Sequence, residues 1–209
     1  MGKKKKTKKQ KTTVYAVFEG QREGLFLEFL RNIYKPENNN INVTYKNANG
    51  GDASTIISLA QNDRNRSFVW LDEDFQINNP PSKGVRKNLA NCWNVKDDKL
   101  NNFLDCTLGN LQSTFNRENR SKPTLIVSQP IAVESLILTI LGKELPHSQM
   151  DTNAKGVKNQ CKDLKNKLES FLDGCDELQY YRDNISKEML EEKCNTIPEL
   201  NLLISMITK

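Results

Sequence analysis

Short apolar runs alternate with amphipathic stretches along most of the chain. The runs are rich in β-branched and aromatic residues and stop at glycine, proline, asparagine or acidic residues, which predicts strands. These strands are predicted over residues 13–19, 41–45, 68–71 and 124–127. Apolar residues at helical spacing predict helices over residues 23–33, 53–61, about 97–116 and 131–141. The alternation indicates an α/β fold with a mainly parallel, Rossmann-like sheet flanked by helices, and Phe68 and Trp70 are expected in its core.

The last third of the chain has a different pattern. After Pro146, amphipathic segments rich in lysine and glutamate predict helices over residues 155–172, 186–193 and 198–207. A long polar stretch with Pro80, Pro81 and Gly84 follows the third strand and is assigned no helix or strand. We therefore predict three parts: a basic tail (1–12), an α/β domain (13–146) and a helical extension packed on the same core (147–209).

Length and composition suit a polar globular protein. The chain has 209 residues, 36% hydrophobic and 27% charged, and no apolar run approaches the ~20 residues that span a bilayer, so no membrane association is expected. Five cysteines without CxxC spacing indicate reduced thiols in a soluble, cytoplasmic protein rather than a zinc site. A single histidine, His147, argues against catalysis by a histidine base beside a nucleophile.

The net charge of +5 is carried by the N-terminus. Residues 1–11 contain no acids and seven lysines: Lys3, Lys4, Lys5, Lys6, Lys8, Lys9 and Lys11. Without these seven, 24 of the 31 basic residues remain against 26 acidic ones, so the body of the chain carries about −2. Such a tail is expected to be disordered by like-charge repulsion and to bind the phosphates of a nucleic acid; a solubilising leader is the alternative.

Acidic residues end two of the predicted strands. Glu19 closes the first strand directly before Gly20, and Asp72 and Asp74 close the third. The carboxyl ends of parallel strands lie at one edge of a sheet, and residues i and i+2 share a face, so the three carboxylates are expected to converge. Gly20 is expected to let the backbone turn sharply and to leave room at the site. Converging carboxylates repel one another unless a hard cation neutralises them, so we expect Mg²⁺ or Mn²⁺ and metal-assisted phosphoryl transfer.

These residues, in this order, resemble a known superfamily. A Toprim domain is similar to three segments of the chain: Val17-Phe18-Glu19-Gly20-x-x-Glu23, then Gly50-Gly51, then Val69-Trp70-Leu71-Asp72-Glu73-Asp74. Within the superfamily the chain most resembles the RloB-like and OLD-type nucleases. RloB-like proteins have a Ser-x-Pro strand end and then a helix with an early glutamate, to which this chain is similar at Val127-Ser128-Gln129-Pro130 and Glu134. The resemblance covers roughly residues 1–145.

The resemblance implies a Toprim-like fold and a role for the strand-end acids. Glu19 would be the Toprim glutamate, acting as a metal ligand or as the general acid/base. Asp72 and Asp74 would be the metal ligands of the DxD motif. Glu23 and Glu134 are further ligand candidates, and for each of them an acid at a helix start is an equal alternative.

Two other features bear on the resemblance. Gly50 and Gly51 would allow close approach of the backbone, with an ordinary turn as the alternative. The chain has Gln21-Arg22-Glu23 where the RloB pattern has a threonine/glutamate pair after the first glycine, so the assignment between the two families stays open.

The function that follows from the resemblance is a Mg²⁺-dependent endonuclease, acting on DNA or RNA (tRNA included), in an anti-phage defence system. Proteins of this kind often work beside an ABC/SMC-like ATPase. The chain contains no GxxxxGK[ST] sequence, so such an ATPase would be a separate subunit. The apolar faces of the C-terminal helices would allow a homodimer.

Two other functions remain open at this point. A catalytically inactive Toprim-like module would bind nucleic acid or an ATPase partner through the helical C-terminal region. A haloacid-dehalogenase-like phosphatase also uses a DxD motif, but places it on the first strand, whereas here it closes the third.

Overall fold

A computed structural model of the chain describes residues 12–35, 41–49, 53–61, 66–73, 83–93 and 123–208. Its strands are β1 (Thr12–Phe18), β2 (Ile41–Asn47), β3 (Arg66–Asp72) and β4 (Thr124–Ser128). They form one sheet in the order β2-β1-β3-β4, and each neighbouring pair is parallel. The predicted α/β class with a parallel sheet is confirmed.

Helices cover the sheet and continue to the end of the described chain. They are α1 (Gln21–Tyr34), α2 (Ala53–Gln61), α3 (Lys83–Trp93), α4 (Val133–Ile140), α5 (Ala154–Leu172), α6 (Glu177–Asn184), α7 (Lys187–Cys194) and α8 (Pro198–Thr208). Within the described ranges, no helix has the length and apolar character needed to cross a membrane.

Strands β1, β3 and β4 bury both of their faces, as expected for a parallel sheet between two helical layers, whereas the edge strand β2 is largely exposed. In β3, Phe68 and Trp70 are fully buried on the side that packs against α1 and α4 to α8, which confirms their predicted place in the core. Val69 and Leu71 point to the other side, where they pack with α2 and α3. The period-two alternation of a strand therefore divides its apolar residues between two cores.

The C-terminal helices belong to the larger of the two cores. One buried apolar side chain from each of α5 to α8 lies in the same cluster as Trp70: Leu164, Tyr181, Leu190 and Leu203. The predicted boundaries near residues 12 and 146 stay predictions.

Two helices were not predicted from the sequence. In α3, Val85, Leu89 and Cys92 do recur at helical spacing, but Pro80, Pro81 and Gly84 directly before them indicated a loop. Helix α3 contacts α2 through a hydrogen bond, in which the Asn88 side chain donates to the Ser54 carbonyl at 2.8 Å. The other helix, α6, has two turns and buries only Tyr181, which is too little for a periodic signal. The predicted helix over residues 97–116 lies outside the described residues.

Candidate functional site

The strand order creates a crevice at the carboxyl ends of β1 and β3. The chain leaves β1 through α1 on one face of the sheet and returns to β3 through α2 on the other face. In open α/β sheets, ligands bind where the connections diverge in this way. Glu19 directly follows β1 and Asp72 is the last residue of β3, and both line a cleft of about 620 Å³.

Asp72 also starts a helix. Its Oδ1 accepts a hydrogen bond at 2.8 Å from the backbone N–H of Val133, the first residue of α4. The residue before it, Ala132, has no side chain that could cap the helix, so a carboxylate from β3 takes that role and interacts favourably with the helix dipole. A carboxylate offers about four lone-pair positions, so this bond is compatible with metal ligation as well.

The neighbouring Glu73 holds the loop that leads into α4. Its Oε2 accepts a hydrogen bond at 2.8 Å from the backbone N–H of Ile131. Ile131 has a φ of 73°, a left-handed conformation that costs a β-branched residue about 1–3 kcal/mol. Its fully buried side chain and the bond to Glu73 stabilise that conformation. Glu73 does not line the cleft of Asp72; it lines a separate cleft with Glu199.

The helix held by these two acids brings a third acid into the first cleft. Glu134 is the second residue of α4 and is only 2% exposed. Its Oε1 accepts a hydrogen bond at 2.8 Å from Nη1 of Arg22, whereas its Oε2 is buried with no hydrogen-bond partner among the described residues. A buried charged oxygen without a partner is costly, so this atom is a candidate ligand for a cation.

Arg22 binds three carboxylates from three helices. Besides Glu134 it contacts Glu169 of α5, and its Nε donates to Oε1 of Glu177 in α6 at 2.8 Å. Burial by itself lowers the pKa of the Arg22 guanidinium, but the hydrogen bonds and charges of Glu177 and Glu134 outweigh it, so that pKa lies above its ordinary value. Tyr181 donates to the same Glu177 oxygen, and the pKa of Tyr181 is raised, first by burial and then by the Glu177 charge.

Glu23 folds back on the start of its own helix. Its carboxylate interacts with the backbone N–H groups of Glu23 and Gly20, and the contact with Gly20 is one half of a capping box, because glycine at the N-cap has no side chain to make the other half. Burial raises the pKa of Glu23; these two bonds lower it in part, and the charge of Glu134 raises it further. The contacts of Glu23 favour the helix-start alternative, and its role as a metal ligand stays a prediction.

The geometry at Gly20 fits the predicted need for room at the site and not the predicted sharp turn. Its φ of −127° is extended backbone that any residue adopts, so glycine is not needed for a sharp turn. A Cβ at this position would stand 3.0 Å from Oε2 of Glu23. The glycine therefore leaves space for the Glu23 carboxylate at the helix start, and a larger residue would require that carboxylate to shift slightly.

Apart from Gly20, the predicted site residues divide into two groups. Four candidate acids line the cleft: Glu19, Glu23, Asp72 and Glu134. The other predicted residues lie outside the described ranges: Asp74, Gly50, Gly51 and the lysines of the tail. The prediction that Asp74 shares a face with Asp72 assumed that the strand continues to residue 74. Strand β3 ends at Asp72, so strand alternation by itself does not determine the direction of Asp74.

The side chains of the cleft offer the type of donor atom that a hard divalent cation prefers. All four acids offer carboxylate oxygens, the ligands that Mg²⁺ and Mn²⁺ prefer, and Oε2 of Glu134 is buried without a partner in the described chain. Across the described ranges, however, no three acidic, histidine or cysteine side chains are gathered closely enough to hold a metal ion by themselves. A complete ligand set would therefore need a further group, for which Asp74 is the predicted candidate.

Several residues of the cleft were missed by the sequence analysis. Arg22 was noticed only as a departure from a motif, and Lys165, Glu169 and Glu177 were not considered. Arg22 stands 112 residues from Glu134 and 155 from Glu177 along the chain. No local pattern reports such a contact, because these charged residues also suit the solvated face of a helix.

Comparisons with known proteins add one likeness. No protein-family model matches the sequence, and no curated protein matches it. Among solved structures, the chain is similar to the C-terminal region of the OLD protein of Xanthomonas campestris pv. campestris, with a TM-score of 0.46 and 11% sequence identity. The likeness covers 95% of this chain and 92% of that one. Any function assigned to the chain therefore rests on the residues of the cleft itself.

Proposed function

We propose that the chain is a Mg²⁺- or Mn²⁺-dependent endonuclease of Toprim type that hydrolyses phosphodiester bonds in DNA or RNA. One observation carries the proposal: acids from the ends of β1 and β3 share a cleft at the switch point with Glu134, which has a buried oxygen without a partner in the described chain. The motif resemblance to Toprim proteins supplies the substrate class.

The cleft residues would divide the work as follows. Glu19 and Asp72, with Asp74 and Glu134, would hold the cation, which when bound polarises a phosphate and activates water. Glu19 would also take up the proton of the attacking water. One cationic side chain of the cleft, Lys165, would attract the phosphate backbone.

The partners of such an enzyme are part of the proposal. The seven N-terminal lysines would strengthen binding to nucleic acid in a salt-dependent way. A separate ABC/SMC-like ATPase subunit would control the activity in an anti-phage defence system, and the chain would form a homodimer.

A second function is favoured by a different observation. No three of the described acids lie close enough together to hold a metal ion by themselves, and Arg22 already forms an ion pair with Glu134. An inactive module that binds nucleic acid or a protein partner would have these same features. It differs from the enzyme in one measurable property, because it would not bind Mn²⁺ at the cleft.

Cleavage of a mixed panel of nucleic acids tests the proposal. Plasmid DNA, single-stranded DNA and total tRNA are incubated with the protein and Mg²⁺ or Mn²⁺. Glu19→Gln and Asp72→Asn keep the shape of each side chain, and the amide oxygen that replaces the Asp72 carboxylate could still accept from Val133. Glu192→Gln, an exposed acid of α7, is the matched control.

We expect metal-dependent cutting that both cleft variants reduce at least about 100-fold, since loss of even an outer-shell partner costs 10–100-fold. The control should cut like wild type. Equal cutting by all three variants would contradict the proposed site. No cutting together with no Mn²⁺ binding would favour the inactive module.

A further inference from the structure

The two oxygens of the Glu134 carboxylate have different environments. Oε1 accepts from Arg22 at 2.8 Å, whereas Oε2 is buried with no partner among the described residues, although the side chain as a whole is only 3% exposed. A buried carboxylate free to rotate would offer either oxygen to the guanidinium. The contact with Arg22 therefore determines which oxygen is left for another ligand.

Arg22 is itself held in one orientation. Its Nη1 contacts Glu134, its Nη2 contacts Glu169 and its Nε contacts Glu177, so three different nitrogens are used on three helices. The guanidinium is planar and its donors have fixed directions, so three such partners determine its position. The Arg22 side chain is 16% exposed and that of Glu177 is 15% exposed, which limits competition by water for this contact, whereas the Glu169 side chain is 58% exposed.

The charges around Arg22 leave a net negative cluster. One guanidinium faces three carboxylates, two of which come from α5 and α6. Glu169 and Glu177 offset the positive charge that Arg22 would otherwise present to a cation at the cleft. Arg22 can therefore orient Glu134 without strongly repelling a divalent ion.

We infer that Arg22 is a positioning residue for the proposed cation site: it holds Oε1 of Glu134 and so presents Oε2 as the ligand oxygen. The inference rests on the proposed function and deepens it. It also makes α5 and α6 part of the site, because Glu169 and Glu177 hold Arg22 in place.

Mn²⁺ binding to the metal-free full-length chain tests the inference without any substrate. Free aqueous Mn²⁺ is measured by electron paramagnetic resonance during a titration of wild type, Arg22→Gln, Arg22→Lys and Glu177→Gln. Glu192→Gln is again the matched control. Circular dichroism reports whether each variant is folded at the temperature of the titration.

We expect Arg22→Gln to weaken Mn²⁺ binding about 10–100-fold, the usual cost of losing a group that orients a ligand. Arg22→Lys should recover part of the affinity, because lysine keeps the charge but not the three fixed donors. Glu177→Gln should weaken binding by a smaller factor. A purely structural role for Arg22 would lower the thermal midpoint and leave Mn²⁺ affinity unchanged.

The outcomes separate this inference from the proposed function. Wild type that fails to bind Mn²⁺ would overturn both. Wild type that binds, with Arg22→Gln binding equally or more tightly, would overturn the inference alone. If Arg22→Gln does not fold, the inference is tested with Arg22→Lys and Glu177→Gln instead. If both of these variants bind Mn²⁺ with wild-type affinity, the inference is overturned.

Discussion

At the scale of single residues, a hydrogen bond between two buried side chains joins β3 to β4. Nε1 of Trp70 donates to Oγ of Ser128 at 2.8 Å, and both side chains are fully buried. Ser128 attracted attention in the sequence as part of a Ser-x-Pro strand end. Its contact with Trp70 gives it a packing role, because the buried indole N–H needs an acceptor.

Ser128→Ala should lower the free energy of unfolding by about 1–3 kcal/mol, because it leaves the buried indole N–H without this acceptor. Urea unfolding followed by tryptophan fluorescence measures the change. Ser170→Ala, at an exposed position of α5, is the control and should change stability by less than about 0.5 kcal/mol. Equal stability of the two variants would contradict the role given to the bond.

At the scale of elements, α7 and α8 each carry a glutamate as their second residue, in opposite environments. The exposed Glu188 has a lowered pKa, chiefly through its own backbone N–H and the Ser186 hydroxyl. The buried Glu199 has a raised pKa: burial is the main cause, its own backbone N–H and that of Gln129 oppose it, and the charge of Glu73 adds to it. The same helix position thus has opposite effects on stability as the pH changes.

The direction of each effect on stability follows from the linkage between proton binding and folding. Glu199 binds its proton more tightly in the folded chain, so its ionisation costs stability as pH rises above the ordinary value of 4.5. Glu188 binds its proton less tightly, so its contribution is present above 4.5 and is lost as pH falls through the lowered pKa.

As pH rises from about 4 to about 7, Glu199→Gln should therefore gain stability relative to wild type, and as pH rises from about 2 to about 5, Glu188→Gln should lose stability relative to wild type. Urea unfolding at several pH values gives both differences. The two variants serve as controls for each other, since both replace the second residue of a helix. Differences of the same sign would show that burial does not govern the pKa of Glu199.

At the scale of the whole molecule, the helices after residue 146 pack into the same hydrophobic core as one face of the sheet. Leu164 of α5 is fully buried in the cluster that contains Trp70. Arg22 connects the same helices to the cleft through Glu169 and Glu177. Core and site therefore both depend on the C-terminal helices.

Leu164→Ala should cost about 2–5 kcal/mol and leave a single unfolding transition, because the cavity opens inside a shared core. Lys162→Ala, two residues away and exposed, is the control and should change stability little. Circular dichroism and tryptophan fluorescence should give coincident urea curves. Two separate transitions, with only the first shifted, would indicate that the helical extension unfolds independently.

The sequence predicted the parts of the site that depend on local pattern. Glu19 and Asp72 were identified because each stands at the end of an apolar strand, and parallel strands bring such ends together. Glu134 was identified through the motif and the apolar helix that follows it. The cap that Asp72 provides for α4, and the bond from Ile131 to Glu73, were not predictable, since neither helix nor loop carries a local signal for an acid from another strand.

The sequence by itself determined the α/β class, the strands, most of the helices and the burial of Phe68 and Trp70. These properties follow from the periods of apolar residues, which are local and repeat over several positions. Only the tertiary structure decided that Arg22 pairs with Glu134, Glu169 and Glu177, and that one oxygen of Glu134 is left without a partner in the described chain. The physical reason is that a charged residue on a helix looks the same in sequence whether it faces water or a carboxylate more than a hundred positions away.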